Sequence, residues 1–267
     1  MDILEDARRV FEIEIKALQV TRDRLDDTFI EIINLIVKCE GKVIITGMGK
    51  PGHIATKLAA TFASLGTSSF CLHPAEAMHG DLGMISEKDI VIVMSYSGES
   101  DEIISILPNI KLIGAKIIAL TGNAQSTLAK AADIAQILPK FDEACHLGLA
   151  PTSSTTVELV YGDALAVVAS EIYGFKEADF GKYHPAGALG KKIILKVDDL
   201  MAKGDAVPSI HQDKLLMDAI TEISKKGIGV VSVVDNDNRL VGILTDGDLR
   251  RIIEKHTDIY TEMVSNV

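Results

Sequence analysis

Between Val91 and Ile103 the chain reads Val-Ile-Val-Met-Ser95-Tyr-Ser97-Gly98-Glu99-Ser100-Asp-Glu102-Ile. An apolar run gives way to three serine hydroxyls, one glycine and two glutamates, and a helical pattern follows at Ile103, Ile104, Ile106 and Leu107. A strand that turns tightly into a helix presents free backbone N–H groups and the positive end of the helix dipole. Both favour a bound phosphate. The glutamates bring a carboxylate to the same place, where it could serve as a base. An ordinary cap accounts for the same residues, with Ser97 or Ser100 capping the helix and the acids complementing its dipole. The stretch alone divides evenly between these readings.

Other clusters bear on the choice. Gly47-Met-Gly49-Lys50-Pro51-Gly52 follows the apolar run Lys42–Thr46. Its glycines allow close backbone approach to a ligand. The spacing also matches a dinucleotide fingerprint, but no acidic residue lies between Gly52 and Glu76, where a ribose would need one. His73-Pro-Ala-Glu76-Ala-Met-His79-Gly-Asp81 places two histidines and two carboxylates in one short segment, at a spacing that is not that of a helical metal pair. Glu143 precedes a hydroxyl run, Thr152–Thr156, longer than one helix cap requires. His184 stands before Pro185 in a Gly/Pro-rich loop, where proline pushes it toward an extended conformation.

These residues need elements to hold them. Ile3 to Val37 has helical spacing and reads as one or two long helices. Strand patterns at Lys42–Thr46, Ser68–Leu72, Val91–Met94, Lys116–Thr121 and Ile134–Leu138 alternate with helical ones, including about His53–Leu65 and Thr156–Tyr173. That alternation predicts an α/β fold, a doubly wound parallel sheet with helices on both faces. Ligands in such a sheet sit beyond the carboxyl ends of the strands, where the glycine and serine loops should converge on one pocket. From Ile193 the pattern becomes a small α+β unit, with a helix at Lys214–Lys226, strands at Val230–Val234 and Leu240–Leu244, and a helix opened by Thr245-Asp246. The expected domains are 1–192 and 193–267.

Composition sets limits. Of 267 residues, 47% are hydrophobic and 4% aromatic, with no Trp, so the core is aliphatic. The formal charge of −11 argues against a nucleic-acid partner, which requires clustered cations. A sugar phosphate must then be held by local donors. Cys39, Cys71 and Cys145 are odd in number and far apart, as expected of reduced thiols in a cytoplasmic enzyme. The chain opens with neither a basic nor an apolar leader, and no apolar run has membrane-spanning length.

The motifs Gly47-Met-Gly49-Lys50-x-Gly52-His53, His73-Pro-Ala-Glu-Ala-x-His79-Gly-Asp81, Ser95-x-Ser97-Gly98-Glu99-Ser100-x-Glu102, Leu149-Ala-Pro-Thr-Ser-Ser-Thr-Thr and His184-Pro-x-Gly together resemble the D-arabinose 5-phosphate isomerases. The resemblance spans nearly the whole chain. It implies a sugar isomerase (SIS) domain of flavodoxin-like, three-layer type with N-terminal helices, followed by CBS motifs. It further implies interconversion of D-ribulose 5-phosphate and D-arabinose 5-phosphate, the first step toward Kdo for lipopolysaccharide or capsule, by a homotetramer that needs no metal and is inhibited by zinc. By the same resemblance Lys50, Glu102, Glu143 and His184 are catalytic. Ser95, Ser97, Gly98 and Ser100 form the phosphate loop. Gly47, Gly49, Gly66, Thr67, His73 and His79 contact substrate, and His73 takes the inhibitory zinc.

Three departures stand out. Pro51 occupies a position where the family usually has Ser, which removes a hydroxyl and an N–H. His146 replaces a usual proline. Only one CBS motif is present where the family has two, so a nucleotide there would have an incomplete site unless two subunits supply it. Isomerisation through an enediol needs a base, here Glu102 or Glu143 with a pKa raised by a partly dry pocket. His184 would shuttle protons and Lys50 would support the oxyanion. The alternatives are a non-catalytic sugar-phosphate or nucleotide sensor and an isomerase of another phosphosugar, which the fold alone does not distinguish.

Overall fold

A computed structural model describes residues 2–185, 196–255 and 258–267. The chain forms two compact units, Met1–Ile194 and Leu195–Val267. The expected boundary at 192/193 and Gly187 of the His-Pro-x-Gly motif lie outside the described residues.

The first unit opens with two helices, α1 (Ile3–Arg22) and α2 (Asp27–Val37). Asp26 separates them, because its carboxylate accepts the Thr28 N–H and starts a new helix. Five short Val/Ile-rich strands follow: β1 (Val43–Gly47), β2 (Ser69–Leu72), β3 (Ile90–Met94), β4 (Lys116–Thr121) and β5 (Ile134–Ile137). All pairings are parallel and the order is β2-β1-β3-β4-β5. This is the doubly wound parallel sheet that the alternation predicts, in the flavodoxin-like strand order that the resemblance implies.

The three central strands, β1, β3 and β4, bury both faces. Val43, Ile45, Ile92 and Met94 pack toward α2, α3 (Lys50–Ser64) and α7 (Ser153–Ile172). Ile44, Val91, Val93 and Ile117 pack toward α5 (Asp101–Ile113) on the other face. The described residues of this unit also hold three short α-helices, α4 (Pro74–Ala77), α6 (Thr127–Ala131) and α8 (Glu177–Tyr183). Helices α3 and α7 touch at Gly162, where a Cβ would lie 2.2 Å from Leu58 Cδ1.

Some boundaries differ from the sequence reading. Helix α3 starts at Lys50, so the glycine loop shortens to Met48 and Gly49. Helix α7 starts at Ser153, taking in most of the hydroxyl run. Glu177–Tyr183, for which the sequence pattern predicts no element, is helical. None of the described helices is long and apolar enough to cross a membrane.

The second unit holds helices α9 (Val197–Leu200), α10 (Leu216–Lys226) and α11 (Asp246–Glu254) and a mixed sheet of β6 (Ser209–His211), β7 (Val230–Val234) and β8 (Leu240–Thr245) in that order. Its core gathers Leu216, Ile223, Val231, Leu244 and Leu249. Thr245 and Asp248 form a capping box at the start of α11, so the Thr245 hydroxyl is occupied by the cap.

Candidate functional site

The strand order reverses between β1 and β3, and the loops after these two strands stand side by side at the carboxyl edge of the sheet. In the β1 loop the three glycines do different work. Gly47 and Gly52 press together, since a Cβ on Gly52 would sit 2.6 Å from the Gly47 carbonyl oxygen. They let the strand end meet the helix start. Gly49 caps α3 with φ +68°, and a Cβ there would meet nothing. It alone leaves open space for a ligand. Lys50 is the first residue of α3 and is exposed, with Pro51 beside it in the first turn.

The β3 loop is tightly determined. Ser95 is buried, and its Oγ lies 3.1 Å from Ser100 Oγ while accepting the Gly98 N–H at 3.2 Å. Ser97 Oγ accepts the Glu99 N–H. Gly98 has φ +68°, and a Cβ on it would fall 2.3 Å from Ser126 Oγ, so only glycine fits. The loop is also tied to α6: Thr127 N–H donates to Glu99 at 2.7 Å and Leu128 N–H to the Gly98 carbonyl. Glu99 thus caps a neighbouring helix and not its own. Ser100 occupies the N-cap position of α5, yet its side chain makes no cap bond. The first-turn N–H groups of α5 are therefore left without a side-chain acceptor. The serine half of the ordinary-cap reading does not hold here, while Asp101 and Glu102 in the first turn keep its acidic half, and the uncapped N–H groups suit an oxyanion. Glu102, the second residue of α5, is half-buried.

Glu143 lies in the loop between β5 and α7. One carboxyl oxygen, Oε2, accepts Thr152 N–H at 2.7 Å, Thr152 Oγ1 at 2.9 Å and Ser154 N–H at 3.3 Å. Burial pushes its pKa up, but the Ser154 and Thr152 hydrogen bonds outweigh that, and the net shift is down. The sequence reading had a raised value for such a glutamate. The structure reverses it: Glu143 is an anion that starts α7. The Tyr96 phenol is pushed up by burial and then by the Glu143 charge.

His73 and His79 follow β2 at the same edge and are exposed. His73 Nδ1 accepts the Ala75 N–H at 3.3 Å and caps α4. A metal on Nε2 would move the proton to Nδ1 and cost that cap. Among the described residues no three His, Cys, Asp or Glu side chains are grouped to hold a metal ion.

Gly66, Thr67 and His184 lie elsewhere. Helix α3 has 15 residues, about 22 Å long, and carries the chain from Lys50 down to the amino edge. There the Ser68 carbonyl accepts the N–H of Val43, the first residue of β1. Gly66, with φ +97°, lies against the Phe175 ring. Thr67 is buried and its hydroxyl has no partner among the described residues. Phe175 stacks on Tyr183, which anchors α8 at this end. His184 ends α8, with Nδ1 2.9 Å from the Phe180 carbonyl and its ring stacked 3.8 Å from Phe180. A carbonyl only accepts, so Nδ1 carries a proton, and in the neutral ring Nε2 keeps a lone pair.

No hydrogen bond or ion pair among the described residues joins any two of Lys50, Glu102, Glu143 and His184. The first three share the carboxyl edge, whereas His184 belongs to the amino edge. The main cleft at the carboxyl edge, about 750 Å3, opens between α1 and the β3 and β4 loops. Ser97, Glu99, Asn123 and the cations Lys16 and Lys140 line it, and Lys50 does not.

One buried acid escaped the sequence reading. Glu158, on the sheet-facing side of α7, is fully buried, and neither carboxyl oxygen has a partner among the described residues. A charged residue within Val157-Glu158-Leu159-Val160 was the available signal.

Comparison with known proteins agrees with this architecture. The SIS domain family matches residues 35–168 and the CBS domain family residues 197–255. The arabinose 5-phosphate isomerase KdsD of Pseudomonas aeruginosa is 44% identical over 267 residues, covering 100% of this chain and 82% of that protein. KdsD of Escherichia coli K12 is 43% identical over 266 residues, with 100% and 81% covered. Among solved structures, an E. coli CFT073 protein in complex with arabinose 5-phosphate superposes with TM-score 0.68 at 46% identity, covering 69% of this chain and 98% of that one.

Proposed function

The chain belongs to the arabinose 5-phosphate isomerases, an SIS domain followed by a CBS domain, and from that premise we propose how its residues carry the reaction. It is an aldose–ketose isomerase that interconverts D-ribulose 5-phosphate and D-arabinose 5-phosphate. The product feeds Kdo formation in the cytoplasm. The observation that carries this reading is the β3 loop, with Ser95 and Ser100 hydroxyls paired at 3.1 Å beside a helix start that has no side-chain cap.

The phosphate lies on that loop, held by the Ser95, Ser97 and Ser100 hydroxyls and the first N–H groups of α5. The sugar extends toward the β1 loop, whose open side is Gly49 and Lys50. Glu143 is the base. Its anionic form is maintained by three donors on Oε2, which leaves Oε1 to take the proton from C1 of the ketose. Electrons from that C–H bond form the enediolate, whose charge gathers on O2, where the Lys50 ammonium stabilises it. O2 then takes up a proton and O1–H gives one up, and as the C1 carbonyl forms the proton on Glu143 returns to C2 to yield the aldose. Glu102, one residue into α5, orients the sugar hydroxyls. Pro51 adds no donor, so the phosphate relies on the β3 loop.

His184, Gly66 and Thr67 enter by association. They lie at the edge opposite Lys50, so in the homotetramer the amino edge of one copy meets the carboxyl edge of another, and His184 Nε2 supplies the second acid/base group. The reaction needs no metal. Zinc inhibits by drawing His73 out of its α4 cap. The C-terminal unit takes a nucleotide.

The test is conversion of D-ribulose 5-phosphate followed by NMR, with and without chelator. Turnover retained or raised in chelator is the expected result. Binding without turnover would instead make the chain a sugar-phosphate sensor.

A further inference from the structure

Glu158 has no place in the scheme above, yet its position ties it to Glu143. It sits five residues beyond Ser153, the first residue of α7, or about 7.5 Å down that helix. Ser154, which donates its N–H to Glu143, is one turn above it and shares its helix face. Both carboxyl oxygens are sealed from solvent and lack any partner among the described residues, and the Oγ of neighbouring Ser153 is likewise buried and unpartnered. An isolated carboxylate in such a place is very costly, so the group is retained as the neutral acid.

Among the described residues, the helices packed on α7 offer nothing to neutralise it. On α1, Glu14 accepts from the Thr156 hydroxyl, and Lys16 is exposed. On α3, Lys57 pairs with Asp163, while Lys50 and His53 are exposed. On α2, Asp26 is taken by its own helix cap. Tyr161, a turn further along α7, gives its hydroxyl to Gln136. The charge that acts on Glu158 is Glu143.

We propose that Glu158 is a positioning residue for the isomerisation, a buried neutral carboxyl that acts through Glu143 and keeps the pair at a single negative charge. This rests on the reading of Glu143 as the base. Two acids whose surroundings drive them apart in this way form a working acid–base pair. With Glu158 neutral, Glu143 feels only its three donors and stays an oriented anion. Once Glu158 ionises, a second charge lies beneath the first turn of α7. The two carboxylates then oppose each other, and the bonds that orient Glu143 are strained. Burial, followed by the Glu143 charge, pushes Glu158 up to about 8, so this crossing lies just above neutrality. The two groups titrate as a coupled pair.

Two measurements test the pair. In the first, kcat/KM is followed from pH 6 to 10, each profile normalised to its own plateau. The native enzyme should fall on the alkaline side with a midpoint near 8, and Glu158→Gln, which cannot ionise, should shift that limb upward by about one unit or more. A Glu158→Gln limb that superimposes on the native one overturns the proposal. The second needs no activity. The Glu158 carboxyl is followed by carbon-13 NMR in the native protein and in Glu143→Gln. Its midpoint should drop in Glu143→Gln by about one unit, because the charge opposing its ionisation is gone. An unmoved midpoint overturns the coupling even if the native protein isomerises normally. An inactive native protein with a moving midpoint refutes the isomerase reading and leaves the coupling standing. Should Glu158→Gln fail to fold, Glu158→Met serves for the profile.

Discussion

Glu99 accepts the backbone N–H of Thr127 at 2.7 Å, and this bond fastens the serine loop after β3 to the helix after β4. The loop therefore does not hold its shape by local turn chemistry alone. Its hydroxyls and the free N–H groups of α5 are held ready by a residue that points away from them. Preorganised donors of this kind lose little on binding, which is where oxyanion sites gain their strength.

Removing the tie should loosen phosphate recognition before it harms chemistry. Glu99→Ala should raise KM for the sugar phosphate about tenfold or more, the loss of a hydrogen bond to a charged acceptor worth about 1.5–3 kcal/mol. Its kcat should change much less. Steady-state kinetics separate the two, and an unchanged KM would detach Glu99 from the site.

The separation of His184 from Lys50 makes a prediction about assembly. Lys50→Ala and His184→Ala should each lower kcat at least ~100-fold, as expected for lost electrostatic and acid–base groups. Unfolded together, mixed and refolded, the two should recover activity to about a quarter of native, since random pairing rebuilds that share of sites. A mixture no more active than its parts would place His184 outside any shared site.

Acid and base act on stability through different carboxylates. Glu143 has its folded pKa lowered below the ordinary glutamate value. Its contribution is present above that ordinary value and is lost as pH falls through the folded one. Glu158 runs the other way. Its folded value is raised from 4.5 to about 8. The folded state then holds more protons than the unfolded state between those limits, and stability declines as pH rises through that window. Glu158→Gln should flatten the decline in Tm across it, raising stability at pH 9 on the order of a few kcal/mol relative to native. Calorimetry against pH checks this, and parallel native and variant curves would contradict it.

Helix packing offers a further check. Gly162→Ala places a Cβ 2.2 Å from Leu58 Cδ1. Helices α3 and α7 must then separate, at a cost of about 1–3 kcal/mol. Because those helices carry Lys50 and the donors to Glu143 at their starts, kcat should fall as well. Urea denaturation and kinetics on one preparation measure both effects.

The sequence by itself determined the elements and the chemistry they present. Apolar strands of four to six residues, broken by Gly, Ser and Pro, and helices of regular spacing are local patterns, so the parallel sheet and the loops at its carboxyl edge were legible. So was the serine loop, because hydroxyls, a glycine and a helix start are adjacent in the chain. Only the tertiary structure decided what depends on distant partners. Glu99 leaves its own helix for Thr127, 28 residues on. Glu143 is an anion because Thr152 and Ser154 turn three donors on it. Glycines that looked alike separate into Gly47 and Gly52, which pack, and Gly49, which stays open. Gly66, Thr67 and His184 fall at the far edge because helices α3 and α7 carry the chain across the sheet. Glu158 is a lone acid in an apolar stretch of sequence, and only the packing of α7 buries it. Spacing records what a residue can do; burial and long-range hydrogen bonds set its charge and its partners.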